Sequence, residues 1–207
     1  MNSVKRFIPH ILFGIYIVLF LVLAISPRDR SVWFVENMTI IPIVVTLVIL
    51  YIKNIRFSPF AYLAMSCLIY IHTIGGHYTF EHVPFGFISD LFGFERNNYD
   101  RMGHFTVGFY AIPSIEYMLN RNVVRRYSHA AFFSLLLIIS VAAVYELFEW
   151  VYAIMSDPSS GHLVLGSQGD IWDAQKDILA DTLGAVVAIV VFWTKKHLEI
   201  DSTNSYS

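Results

Sequence analysis

Charge is scarce in this sequence. Asp, Glu, Lys and Arg make up 14% of its 207 residues, against about 25% in a soluble globular domain. So few charges cannot coat a chain of this length, and an ordinary soluble surface is excluded. Cysteine is nearly absent: Cys67 stands alone, which rules out a disulfide within the chain. Its setting in the apolar run SPFAYLAMSCLIYI reads as a small buried hydrophobe. There is no basic stripe and no basic helix interleaved with aromatics, and the net charge is −2, so nucleic acid is not an expected partner. We find no internal repeat, no complete glycine-rich phosphate motif and no HExxH zinc signature, and nothing indicates an organic cofactor.

Apolar residues are what the sequence does have, at 56%. They fall into six blocks: Ile11 to Ile25, Met38 to Ile52 (beginning nearer Trp33 on a generous reading), Phe57 to Ile71, Gly103 to Leu119, Ala130 to Tyr145 continuing to Met155, and Ile178 to Trp193. None offers eighteen clean apolar residues, the usual length of a spanning helix. Six such blocks nevertheless leave too little polar scaffold to bury them, so lipid must cover them. The expected fold is an all-α integral membrane protein, a compact bundle of six transmembrane helices. One membrane domain is expected over 1–198, with a disordered cytoplasmic tail over 199–207. The fourth block is the weakest, holding His104, Pro113 and Glu116, and a re-entrant segment is the alternative there. Lys5-Arg6 ahead of the first block also fits a signal peptide, but retention as the first helix gives the simpler topology.

Basic residues assign the sides. With the N-terminus inside, Lys5, Arg6, Lys53, Arg56, Arg121, Arg125, Arg126, Lys195 and Lys196 fall on one face. Arg28, Arg30, Arg96, Arg101 and Lys176 fall on the other. That asymmetry places both termini in the cytoplasm.

The same topology gathers the unusual residues. The outer ends of spans three to six carry His72 and His77; Asp100, Arg101 and His104; Glu146 and Glu149; and Asp170, Asp173, Asp177 and Asp181. Asp173, Asp177 and Asp181 recur at i,i+4, a stripe about 12 Å long on one helix face. A carboxylate at bilayer depth costs at least a few kcal/mol and faces a cavity, a partner or an ion. Asp181 and Glu146, embedded in apolar sequence, are the strongest cases. Asp173 and Asp177 also fit the positive end of a helix dipole. Three readings follow for an outward-facing Asp/Glu/His cluster. The first is a metal-dependent hydrolase or remodelling enzyme for a lipid-linked phosphate or envelope precursor. In it His104, Glu146, Asp173, Asp177 and Asp181 would hold a divalent ion (Zn, Mn or Mg), His72 or His77 would move protons and Arg101 would hold the phosphate. The second is a small proton- or cation-coupled transporter. The third is a structural or interaction role, with each acid paired to a base. Membrane lipid is the expected surrounding partner in all three.

Gly75-Gly76 is expected to break the third helix or permit a tight turn, and His77 and Glu81 to share a face if the chain is helical after the glycines. Glu116 is expected to pair with Arg121 or Arg125 or to lie exposed at the inner end of its span, and Gly184 to permit close helix packing.

The stretches IHTIGGHYTFEHVPFG, YDRMGHF, YELFEW and GSQGDIWDAQKDILADTLGA resemble the YjdF-like family of small multi-spanning bacterial inner-membrane proteins. The resemblance runs over Ile71 to Gly86 and, in separate blocks, Tyr99 to Ala185. It implies a multi-pass location in the bacterial inner membrane. A looser similarity is to VanZ-like membrane proteins, associated with resistance to certain glycopeptide antibiotics. It rests on Asp100, Arg101, His104 and Phe105 before a span, a later Glu146 or Glu149, and Asp177, Asp181 and Gly184 opening the last span. Lys176 and Thr182 depart from that second pattern.

Overall fold

The computed structural model describes residues 3–156 and 158–204, with side chains over 6–156 and 158–198. The helices are α1 (Ser3–Leu23), α2 (Arg30–Ile52), α3 (Pro59–Tyr78), α4 (Gly86–Phe92), α5 (Tyr99–Val107), α6 (Ala111–Asn120), α7 (Tyr127–Met155), α8 (Pro158–Leu165) and α9 (Asp173–Asn204), with a 3₁₀ turn, Gly108–Tyr110, between α5 and α6. Five of them, α1, α2, α3, α7 and α9, are long and apolar enough to cross a membrane. Their outer faces show large apolar side chains in quantity, such as Val22, Val144 and Val190, a surface that only lipid can cover. The chain is an all-α, multi-spanning membrane protein. Of the expected tail over 199–207, residues 205–207 lie outside the described residues.

Local chemistry sets the helix starts. The Asp29 side chain accepts from the backbone amides of Ser31 and Val32, at 2.8 and 2.9 Å, and caps α2 some eight residues earlier than the apolar block suggests. Ser58 caps α3 ahead of Pro59 at its first turn. The turn between α5 and α6 has a plain cause. Pro113 has no amide to give the Phe109 carbonyl, so the α pattern tightens at Gly108–Tyr110.

Three expectations are corrected here. Gly75-Gly76 does not break α3, which continues to Tyr78 and ends at Thr79 in the left-handed region (φ 63°). The glycines are instead contact points: the Phe80 ring lies over Gly75 and the Glu36 side chain over Gly76. With α3 ending there, Glu81 pairs with His82 at 3.2 Å rather than with His77. Glu116 likewise does not turn to Arg121 or Arg125. Its Oε2 accepts from the Ser58 amide at 2.8 Å and ties α6 to the start of α3.

Small residues build the centre. Ala61, Ala64, Ala111, Ile112, Ile138, Ala185 and Ala188 form one core where α3, α6, α7 and α9 meet. The closest approach is between α5 and α9. A Cβ on Gly184 would collide with the Phe105 carbonyl, and one on Gly108 with the backbone at Gly184 and Ala185. Gly184 thus acts as expected, and its effect is to press the polar start of α5 against the aspartate stripe of α9.

Candidate metal centre

The stripe on α9 divides into two parts. At its top, Asp173 accepts from Arg96 at 2.6 Å and from Arg101 at 2.5 Å. Arg96 also donates to the carbonyls of Gly166 and Ser167. Asp170 joins through Arg101 at 3.3 Å and Lys176 at 2.6 Å. The Lys176 hydrogen bond, an amide bond from Trp172 and the Arg101 charge hold the Asp170 carboxyl below the usual carboxylate range. Three cations and two acids therefore close this end of the bundle. Arg96 reaches them because the connector before α9 folds back over it, with Gly166, Gln168 and Gly169 in the left-handed region.

Beneath this layer the balance reverses. His104 on α5 is 6% exposed, Asp177 2% and Asp181 0%. The His104 Nδ1 lies 3.0 Å from Asp181 Oδ2, and a carboxylate there accepts from Nδ1–H. In the neutral ring that bond fixes the tautomer, with Nε2 left as the acceptor. Nε2 points between Asp100 Oδ1 at 3.8 Å and Glu146 Oε1 at 3.7 Å. One donor atom each from Asp100, His104 and Asp177 lies within 4.8 Å of the others. Asp177 Oδ1, Asp181 Oδ1 and Glu146 Oε1 are buried and have no hydrogen-bond partner among the described residues. Arg101 Nε stands 3.4 Å from Asp177 Oδ1, near enough for attraction but outside hydrogen-bond geometry.

The donor set suits a divalent ion on chemical grounds. An imidazole held from behind by a carboxylate is the usual arrangement of a metal-ligating histidine. Carboxylate oxygens complete the mixed N/O environment that zinc and manganese accept. Four acids around one imidazole, away from water, also require compensating positive charge. A buried Asp/His cluster with metal-binding geometry is thus a feature of the fold.

Each predicted site residue can be placed. His104, Glu146, Asp177 and Asp181 come together, with Asp181 behind the imidazole rather than on its open side. Asp173 belongs to the paired layer above. Arg101 bridges the two layers. His72 sits apart, its Nε2 3.1 Å from Glu36 Oε2, while Phe80 and Tyr145 flank its ring. His77 is directed away, its Nδ1 2.7 Å from the Leu23 carbonyl at the end of α1. Sequence reasoning missed Glu36 and Arg96 and left Asp100 out of its candidate ligand set. The Asp100/His104 pair at i,i+4 was the available signal for the last.

The outward-facing site is corrected. Burial of Asp177, Asp181 and His104 overturns it, because the paired layer and the folded-back connector cover the cluster on that side. On the inward side lies a cavity of about 680 Å³ whose wall includes Asp100, His104, Asp181 and His72. The rest of the wall is mostly apolar, and no Lys or Arg lines it among the described residues. A phosphate-hydrolysing centre that opens outward, with Arg101 on the phosphate, is not what this fold builds.

The chain belongs to the family described as "Predicted membrane protein (DUF2238)", which matches residues 8–197. It is similar to the inner membrane protein YjdF of Escherichia coli (strain K12), with 34% identity over 172 residues, covering 80% of this chain and 79% of that protein. No solved structure matches. With the spanning helices, these matches place the chain in the bacterial inner membrane as a multi-pass protein.

Proposed function

We propose that this member of the DUF2238 family binds one divalent cation, zinc or manganese, inside the membrane. Asp100, His104 and Asp177 are its ligands, Glu146 completes the set and Asp181 orients the imidazole. One observation carries the reading: the Asp181 bond to His104 Nδ1 leaves Nε2 aimed into a buried space where Asp177 and Glu146 present unpartnered oxygens. Bound there, the ion would supply a Lewis-acidic positive charge. Protein purified without chelator, or reconstituted with Zn²⁺ or Mn²⁺ and freed of excess, should carry about one equivalent per chain by elemental analysis. His104→Ala and Asp177→Asn should lose it while eluting as folded protein, and Asp173→Asn should keep it. Metal-free wild-type protein after reconstitution would overturn the assignment.

The reading includes a sixth crossing and cytoplasmic termini. Residues 99–120 run from Asp100, beside the top of α9, to Glu116, bonded to the start of α3. At 1.5 Å per residue that run is about 33 Å long, a bilayer's hydrocarbon thickness. The excess of basic residues on the terminal side supports the orientation. Green fluorescent protein fused after residue 204 should fluoresce and alkaline phosphatase there should be inactive; the reverse pattern inverts the topology.

A further inference from the structure

The cavity below the cluster has a mouth at lipid depth. α2 packs on α3 and α8, and α7 on α5, α6, α8 and α9, and both line the cavity. Pro42 and Thr46 on α2, and Leu137 and Val141 on α7, line it and are themselves exposed. In a membrane that exposure is to acyl chains. The α2 wall runs from Thr39 to Leu50, about 16 Å at 1.5 Å per residue. The volume of about 680 Å³ lies inside the roughly 300–1,000 Å³ range of small-molecule sites. The shape is a slot open sideways to lipid, apolar along its length and polar at one end.

We propose that this slot binds a single-chain membrane amphiphile with a small uncharged hydroxyl head, a long-chain alcohol, whose head sits against Asp100 beside His104. Leaving bilayer for an apolar wall gains a hydrocarbon chain almost nothing, because lipid is equally apolar. Selectivity therefore rests on the head. The polar end presents Asp100 and Asp181 beside His104 and His72, each imidazole already facing a carboxylate. Arg96, Arg101 and Lys176 are committed to the layer above and none lines the slot. An anionic head would meet like charge with no basic side chain to offset it, and one divalent cation would still leave the four carboxylates around His104 net negative. A hydroxyl is the group this end accepts: its O–H donates to the Asp100 carboxylate, which lines the slot and is partly exposed, a hydrogen bond to a charged acceptor and worth more than one between neutral groups. The inference uses the cavity and its mouth and holds independently of the cation.

The test uses full-length protein in lipid nanodiscs and hexadecanol bearing a photoactivatable diazirine. Crosslinks should concentrate in peptides covering residues 39–50 and 137–145, and unlabelled hexadecanol or farnesol should compete, the stronger competitor showing whether straight or isoprenoid chains fit better. Hexadecyl phosphate should not compete. Thr46→Trp or Val141→Trp, each filling the exposed mouth, should cut this labelling about tenfold and leave metal content unchanged, so the two proposals fail separately. Labelling spread evenly over the lipid faces of α1 and α9, indifference to both tryptophans, or equal competition by the phosphate would each overturn the proposal.

Discussion

Two neighbouring layers of this protein share one helix and treat their acids in opposite ways. In the upper layer Asp170 and Asp173 meet Arg96, Arg101 and Lys176, and every carboxylate has a basic partner. One to two helical turns lower, Asp177 and Asp181 join Asp100 and Glu146 around His104, with oxygens that no donor satisfies. A stripe of like residues on α9 thus becomes a closure at one end and a receptor for positive charge at the other. The partners supplied by α5 and the connector make that division. A regular i,i+4 pattern says that residues share a face, not that they share a task.

The contrast can be broken at its root. Gly184→Leu should drive α5 off α9, because even a Cβ collides with the Phe105 carbonyl. Overpacking costs roughly 1–3 kcal/mol and more where backbone cannot yield. Both layers should be lost together, read as a fall in folded yield and in thermal unfolding temperature. Asp173→Ala should separate them. It takes the nearest acid from Arg96 and Arg101, which keep Asp170, so the loss should stay below the roughly 3–5 kcal/mol of a buried charge left without a partner; the unfolding temperature should drop while metal content stays near wild type. Asp181→Asn should do the converse. It changes little in shape but disturbs the imidazole from behind, and metal affinity should weaken roughly 10–100-fold in a competition titration with a chelator.

Asp170→Asn should give the smallest effect, since that carboxylate lies at the edge of its layer. Because its folded pKa is depressed, with the Lys176 bond the first cause, its contribution is present above the ordinary carboxylate pKa of about 3.9. That contribution is lost as pH falls through the lower folded value. Wild type and variant should therefore differ slightly in unfolding temperature at neutral pH and converge in strong acid.

Much of this architecture was legible in the residues. Apolar blocks and basic connectors gave an all-α membrane chain, Gly184 announced a close helix contact, and the embedded Asp181 and Glu146 demanded a non-lipid environment. Glu36 escaped notice because the apolar block of α2 seemed to start after it; the Asp29 cap begins the helix earlier and carries Glu36 into the bundle beside His72. Arg96 escaped because a connector's direction depends on turns at Gly166, Gln168 and Gly169 that spacing does not encode. The facing of the cluster was misread for a deeper reason. In a membrane helix the side toward lipid and the side toward an apolar cavity have the same composition, so hydropathy cannot tell an outward mouth from a lateral one.

The contact at Gly108 and Gly184 also has a mechanical meaning. It is a fulcrum, with Asp100 on an arm of about 12 Å, eight residues along α5. A tilt of about 5° about that point swings the carboxylate by about 1 Å, several times the roughly 0.2 Å tolerance of a coordination bond. Anything that rocks this short arm, a molecule wedged under it included, would loosen or tighten the grip on an ion without moving the helix that carries the aspartates.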